Sequence, residues 1–311
     1  MSANIILRLK SAADNPAVAK LIHDSLNAWY KTNRGFDSVV ADVQAATIYS
    51  RVYDALDPDC CVVAEVADTG ALAGSCFFHP RSTHVSLGIM TVSPQCFGMG
   101  VSSKLLRYIV DVATSRNQTL RLVSSAMNLD SFSLYNRAGF VPYAMYQDMQ
   151  IAVPQEGFAV NAPEGCSVRE ATLNDLPAIV ELEKQLQGID RAKDYKFFID
   201  NAEGIWGVSV LLDADGVIQG VMCSVRDPGC NMVGPGVART EAQTAALVRY
   251  ELNRYAGKWS PIVLIPTQTR QLRAEMYLLG ARNTETHVGQ SLGPIPERSG
   301  VALPTFMPET A

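Results

Sequence analysis

Residues 92–106, Val-Ser-Pro-Gln-Cys-Phe-Gly-Met-Gly-Val-Ser-Ser-Lys-Leu-Leu, constrain the fold more than any other stretch of this 311-residue chain. They read as the end of an apolar strand, a turn carrying Gly98 and Gly100, and the start of an amphipathic helix. The two glycines remove side chains where the backbone bends. Main-chain N–H groups at the helix N-terminus are then left facing outward. Unpaired donors and the helix dipole together make such a turn a cradle for phosphate. Taken alone, the same turn also reads as a plain strand-to-helix connection.

The rest of the first half fits an α/β (α+β) class. A strand at Ile5–Leu9 leads through Asn15-Pro16 into a helix over Ala17–Tyr30, since proline suits a first helical turn. A second helix falls within Val39–Leu56. Strands follow at Cys60–Val66, Leu72–Phe78 and Val85–Val92, the first two joined by Asp68-Thr69-Gly70 as a hairpin. A helix over Gly100–Arg116, a strand over Leu120–Ser125 and a short helix over Asp130–Ala138 come next. Strand character over Phe140–Val153 closes the half, giving β-α-α-β-β-β-α-β-α-β-β. Residues 154–165 read as a linker. The second half repeats the grammar: strand Ser167–Thr172, helix Leu173–Gln187, strands Gly207–Leu212 and Val217–Val225, helix Thr240–Tyr255, strand Ile262–Pro266 and helix Gln271–Leu279. This order predicts a diverged internal duplication, with domains at 1–153 and 166–290. A proline-bearing tail, 291–311, should be extended and without a core of its own.

Composition narrows the functions. With 26 basic and 31 acidic residues the formal charge is −5, and no block of like charge occurs. This speaks against a basic nucleic-acid surface and against a polybasic membrane patch. An acidic balance suits an amine partner. The seven cysteines show no Cys-X-X-Cys spacing and the four histidines no helical ligand pair, so reduced thiols and no metal are expected. Met1–Lys10 has no signal-peptide core and no later run could span a bilayer, so the expected location is cytoplasmic. Oligomeric state, including a homodimer, stays open.

The pattern Val92-X-Pro94-X-X-X-Gly98-X-Gly100-X-X-X-X-Leu105-Leu106 resembles the acetyl-CoA pyrophosphate loop of the GNAT N-acetyltransferase superfamily. Asn128-Leu-Asp-Ser131-Phe-Ser-Leu134-Tyr135-Asn-Arg-Ala-Gly139-Phe140 is similar to the later signature of that superfamily, in full register. The resemblance covers the whole first half, and the second half in layout only. It implies two tandem GNAT-like domains, each a mixed, splayed central sheet flanked by helices. It further implies that main-chain groups of Met90, Thr91 and Val92 grip pantetheine in the splay. The amides of Phe97, Gly98, Met99, Gly100, Val101 and Ser102 would hold the pyrophosphate, with Asn128 and Ser131 at the cofactor arm or the start of the short helix. Tyr135 would be the general acid that protonates the CoA thiolate, against the plainer reading of an aromatic packed under the sheet.

Departures from the resemblance stand out. Phe97 occupies the usual Arg or Gln position, Ser102 that of the second small residue, and Ser86 the position of a strand glutamate that often serves as base. Serine cannot be that base, so deprotonation of the amine by a water relay starting at His84, Glu65 or His79 is expected. In the second half, Gly234-Pro235-Gly236 precedes the loop, Glu241 would face a phosphate and Met276 stands where Tyr135 does. That half should be degenerate, and Arg239, Arg249 and Arg254 should form a solvated helix face. The function implied is acetyl transfer from acetyl-CoA to a primary amine of a small molecule or peptide. A non-catalytic acyl-CoA sensor, or transfer of another acyl group, is the alternative. Acceptor-pocket residues would come from loops such as Lys31–Asp37.

Overall fold

Strand β1 (Ile5–Leu9) enters helix α1 (Asn15–Arg34) through a turn in which the Ser11 amide donates to Asp14 at 2.7 Å. Arg8 on the strand holds the same carboxylate at 2.8 Å. The second half opens identically: Arg169 on β7 (Ser167–Glu170) pairs with Asp175 at 2.8 Å, and the Thr172 amide donates to that carboxylate before α5 (Leu176–Gln187) begins. The repeated clasp is the clearest local trace of duplication. These features belong to a computed structural model that describes residues 4–35 and 39–308. Helix α1 continues past the predicted end at Tyr30 to Arg34 and stops at Gly35, whose φ of 69° is left-handed. Lys31–Arg34 are therefore helical, while residues 36 and 37 of the expected acceptor loop lie outside the described residues.

In chain order the first half continues with α2 (Thr47–Leu56), β2 (Cys61–Val66), β3 (Leu72–Pro80), β4 (His84–Val92), α3 (Val101–Ser115), β5 (Thr119–Ser125), α4 (Leu129–Arg137) and β6 (Val141–Gln150). The second, after β7 and α5, has α6 (Ala192–Asp200), β8 (Trp206–Leu212), β9 (Ile218–Asp227), β10 (Cys230–Ala238), α7 (Glu241–Leu252), β11 (Ile262–Pro266), α8 (Arg270–Leu278), β12 (Arg282–Leu292) and β13 (Val301–Leu303). Each half is a mixed sheet flanked by helices.

The two sheets are one. Its strand order is β1-β2-β3-β4-β5-β12-β6-β11-β10-β9-β8-β7, with β13 beside β10. The first half closes with one strand where two were expected. The missing neighbour comes from the second half, because β12 lies antiparallel between β5 and β6. Reciprocally, β6 lies between β11 and β12. Residues 151–166 separate the halves along the chain, whereas the sheet runs across that boundary.

Apolar packing follows the same plan. Helices α1, α2, α5 and α6 share one core that joins Ile22, Val52 and Phe77 to Leu182, Phe198 and Trp206. Helices α3 and α4 cover the other face in the first half, and α7 and α8 in the second. A buried ion cluster ties the halves under α2. Arg81 reaches Asp57 at 3.0 Å and Asp194 of α6 at 2.6 Å, and Lys193 also pairs with Asp57. The described part of the tail packs into the second half, where Val301–Leu303 pair with β10 and Val301, Leu303 and Met307 are buried. The expected arginine face also differs. Arg249 pairs with Glu275 at 3.0 Å and Arg254 with buried Glu251 at 2.8 Å, so of the three only Arg239 is exposed.

Candidate active site

Strands β4 and β5 run parallel but pair only at His84–Thr119, Val85–Leu120 and Ser86–Arg121. Beyond Ser86 they separate. The split begins at a β-bulge, where the β3–β4 register shifts between Cys76 and Phe78, a local twist typical of strand edges near functional sites. Gly88 is obligatory there: a Cβ would stand 2.7 Å from Nε2 of buried His79 and 3.1 Å from the Phe77 carbonyl oxygen. After the bulge, Met90–Val92 remain paired to β3 on one side, and their other edge faces the opened gap. Of these predicted residues, Thr91 turns its side chain away, its hydroxyl lying 3.0 Å from that of Ser75. Only its main chain is left for the gap.

At the end of β4 the chain turns through Pro94–Cys96, then Gly98 and Gly100 at φ of 77° and 73°. Both angles are left-handed, which glycine adopts freely and other residues do not. Gly100 is the N-cap of α3 and offers no side-chain cap. The first-turn amides of Val101 and Ser102 therefore have no capping side chain, as a cradle for phosphate oxygens requires. Val101 is buried and anchors the helix, while Phe97 and Met99 are exposed around the turn.

Asn128 caps α4, its Oδ1 accepting from the Ser131 amide at 3.1 Å, so these two predicted residues bond each other. Tyr135 on that helix is 5 % exposed and lies against Phe140 with ring centroids 5.7 Å apart. Asn136 ties the helix to β12 by donating to Gln290 at 3.2 Å, and Gln290 donates in turn to Ser124 of β5 at 3.1 Å.

None of the three relay candidates lies in the gap. Glu65 accepts from Arg8 at 2.7 Å on the outer strands. His79 is fully buried with Nδ1 2.8 Å from Asp57, and burial lowers its pKa. His84 is also buried, between Thr83 and Ser86, and burial and then Arg121 hold it well below the usual imidazole value. Behind the wall of the gap, on the side of β5 away from β4, stands Glu285 of β12. It accepts from Tyr30 at 2.7 Å and from Ser125 of β5. His287 lies beside it, 2.8 Å from Asp148 of β6. Burial pushes the Asp148 carboxyl up, opposed by the His287 bond. No sequence signal marked Glu285, because the strand that carries it falls past the last predicted element.

The second half reproduces the layout without the opening. The register of β9 on β10 places Gly236, Val237 and Ala238 where β3 and β4 place Met90, Thr91 and Val92. Strand β13 pairs there, Leu303 with Gly236, Ala302 with Val237 and Val301 with Ala238. Helix α7 begins with a closed cap, Thr240 and Gln243 each accepting the other's amide. Glu241 in its first turn accepts from the Leu272 amide at 2.8 Å, and Met276 is buried at the place of Tyr135. Among the described residues, no group of His, Cys, Asp and Glu side chains could hold a metal, and no helix is long and apolar enough to cross a membrane.

Residues 23–140 match the profile of the Acetyltransferase (GNAT) family. A search of curated proteins gave no match. Among solved structures, the chain is similar to a Pyrococcus horikoshii protein classed as an acetyltransferase, at 16% identity and a TM-score of 0.72 over 96% of this chain and 92% of that one. A GCN5-related N-acetyltransferase from Sphaerobacter thermophilus is similar at 19% identity and 0.66, over 95% and 97%. A tandem GNAT protein from the clavulanic acid biosynthesis pathway is similar at 14% and 0.60, over 94% and 99%. At these identities the likeness speaks for the fold across both halves.

Proposed function

We propose, from the premise that this chain is a tandem GNAT-superfamily protein with its acetyltransferase-family domain over residues 23–140, that the first half transfers an acetyl group from acetyl-CoA to a primary amine. The observation that carries the reading is the gap between β4 and β5 opening beside an uncapped, glycine-started helix. In this reading the amides from Phe97 to Ser102 hold the pyrophosphate. The free edge of Met90–Val92 pairs with the pantetheine amides, and one of its N–H groups steadies the thioester oxygen as it gains charge. The amine nitrogen bonds to the carbonyl carbon, the carbon–sulfur bond breaks with its electron pair on sulfur, and Tyr135 protonates the departing thiolate. Loss of an arginine at Phe97 weakens anion contact without removing the main-chain cradle.

Steady-state thiol release with an amine panel tests the reading, beside calorimetric titration with acetyl-CoA. Turnover is expected, and Tyr135→Phe should lower kcat by about 10²-fold or more while leaving the acetyl-CoA Kd within about twofold. An unchanged kcat would remove Tyr135 from the acid role. Binding without turnover across the panel would turn the reading to an acyl-CoA sensor.

A further inference from the structure

Ser125 sits at the end of β5, on the wall of the gap, and alternation along the strand puts it with Val123 on the face that α1 covers. Its hydroxyl donates to Oε1 of Glu285 and accepts from the Met127 amide at 3.1 Å. Tyr30 of α1 donates to the other carboxylate oxygen at 2.7 Å. Glu285 is 8 % exposed, and among the described residues no lysine or arginine forms an ion pair with it. A buried carboxylate satisfied only by hydroxyls is costly to keep, and packing gives no reason for it. The groups around it are Tyr30 from α1, Asp148 from β6 and His287 on its own strand, with Arg34 of α1 held by the adjacent Thr284 carbonyl at 3.2 Å.

The chain supplies its own control. Ala126 donates to the Thr286 carbonyl as Thr267 donates to that of Met145, so an offset of 141 residues superposes the two strand pairs. That offset carries Glu285 back to Ala144 and Ser125 forward to Pro266. The carboxylate and its hydroxyl partner occur only beside the gap that is open, and neither occurs beside the gap that β13 fills.

We infer that Glu285, supplied by the second half, is the proton acceptor for the amine, acting through Ser125. The inference rests on the acyl-transfer reading above. As an ammonium group enters the gap, its proton passes to Ser125 Oγ while the Ser125 proton passes to Glu285 Oε1, which frees the nitrogen lone pair for the thioester carbon. The second proton lost by nitrogen, as the adduct collapses, replaces the one Tyr135 gives to sulfur. Glu285 then returns its proton to solvent. The acceptor is accordingly a cationic amine, and the second half is part of the active site.

The test is the pH profile of kcat, with acetyl-CoA Kd and Tm, for Glu285→Gln, Glu285→Asp and Ser125→Ala in the full chain. Glu285→Gln should lower kcat about 10²-fold, abolish the acidic limb of the profile and leave the Kd within about twofold. Glu285→Asp should restore part of the rate and the limb. Ser125→Ala removes one hydroxyl from a partly exposed site, and should lower kcat at unchanged Tm. Wild-type kcat and profile in Glu285→Gln, with an active parent, would overturn this assignment alone. No turnover by the parent would overturn the acyl-transfer reading, and this assignment with it.

Discussion

Gly100 has open space where a Cβ would lie, so the backbone angle and not crowding is what excludes other residues. Gly100→Ala should cost about 1–2 kcal/mol for holding an L-residue in the left-handed region, seen as a lower midpoint in urea. Gly100→Glu adds a carboxylate at the anion cradle, and should weaken acetyl-CoA at least about tenfold by calorimetry. A second residue-scale prediction concerns His84. Burial, then Arg121, Arg191 and Arg81, keep it neutral in the fold, whereas the unfolded chain binds a proton near pH 6.5. Below that pH the unfolded state holds the extra proton, so this contribution to stability is lost as pH falls from about 7 toward 5. The raised carboxylates Asp148, Glu183 and Glu251 pull the opposite way. The diagnostic is therefore the difference between chains: relative to the parent, the Tm of His84→Gln should rise as pH falls from about 7 toward 5.

At the scale of elements, β13 explains why one half carries an open gap and the other does not. It makes with Gly236–Ala238 the main-chain pairing proposed for pantetheine along Met90–Val92. Calorimetry should accordingly read one acetyl-CoA per chain, and two would refute the comparison. Leu303→Ala should cost about 2–5 kcal/mol as a buried leucine truncation, measured by chemical unfolding, since the strand is part of the core. All the helices except α6, the β2–β3 hairpin and the glycine turn were legible because each is written in local pattern: proline in the first turn, left-handed glycines, alternating apolar residues. Residues 282–292 were not. Arg282, Asn283, Glu285 and His287 read as polar sequence, and they become a central strand only because β5 and β6 stand on either side. Glu285 was hidden for the same reason. Its meaning depends on Ser125 and Tyr30, far away in sequence. The tail misled for the opposite reason, its prolines reading as loop while Val301, Leu303 and Met307 supply the burial.

For the whole molecule, the exchange of β6 and β12 makes the halves interdependent. Among the described residues β6 pairs with β11 and β12 alone, so a fragment of residues 1–153 has a strand with no neighbour of its own. Expressed alone, that fragment should fail to show the hydrogen-exchange protection of its sheet, and adding residues 154–311 should restore it. Retention of native protection in the lone fragment would contradict the exchange. The same topology has a consequence for the order in which the protein is made. A nascent chain released as far as β6 has already synthesised the glycine turn and Tyr135, yet β5 and β6 present raw edges across a slot one strand wide. Such edges invite pairing with other chains, and the slot is filled only when β12 emerges. The portion translated first is thus the last to be finished, and its shelter during synthesis falls to whatever holds those edges apart.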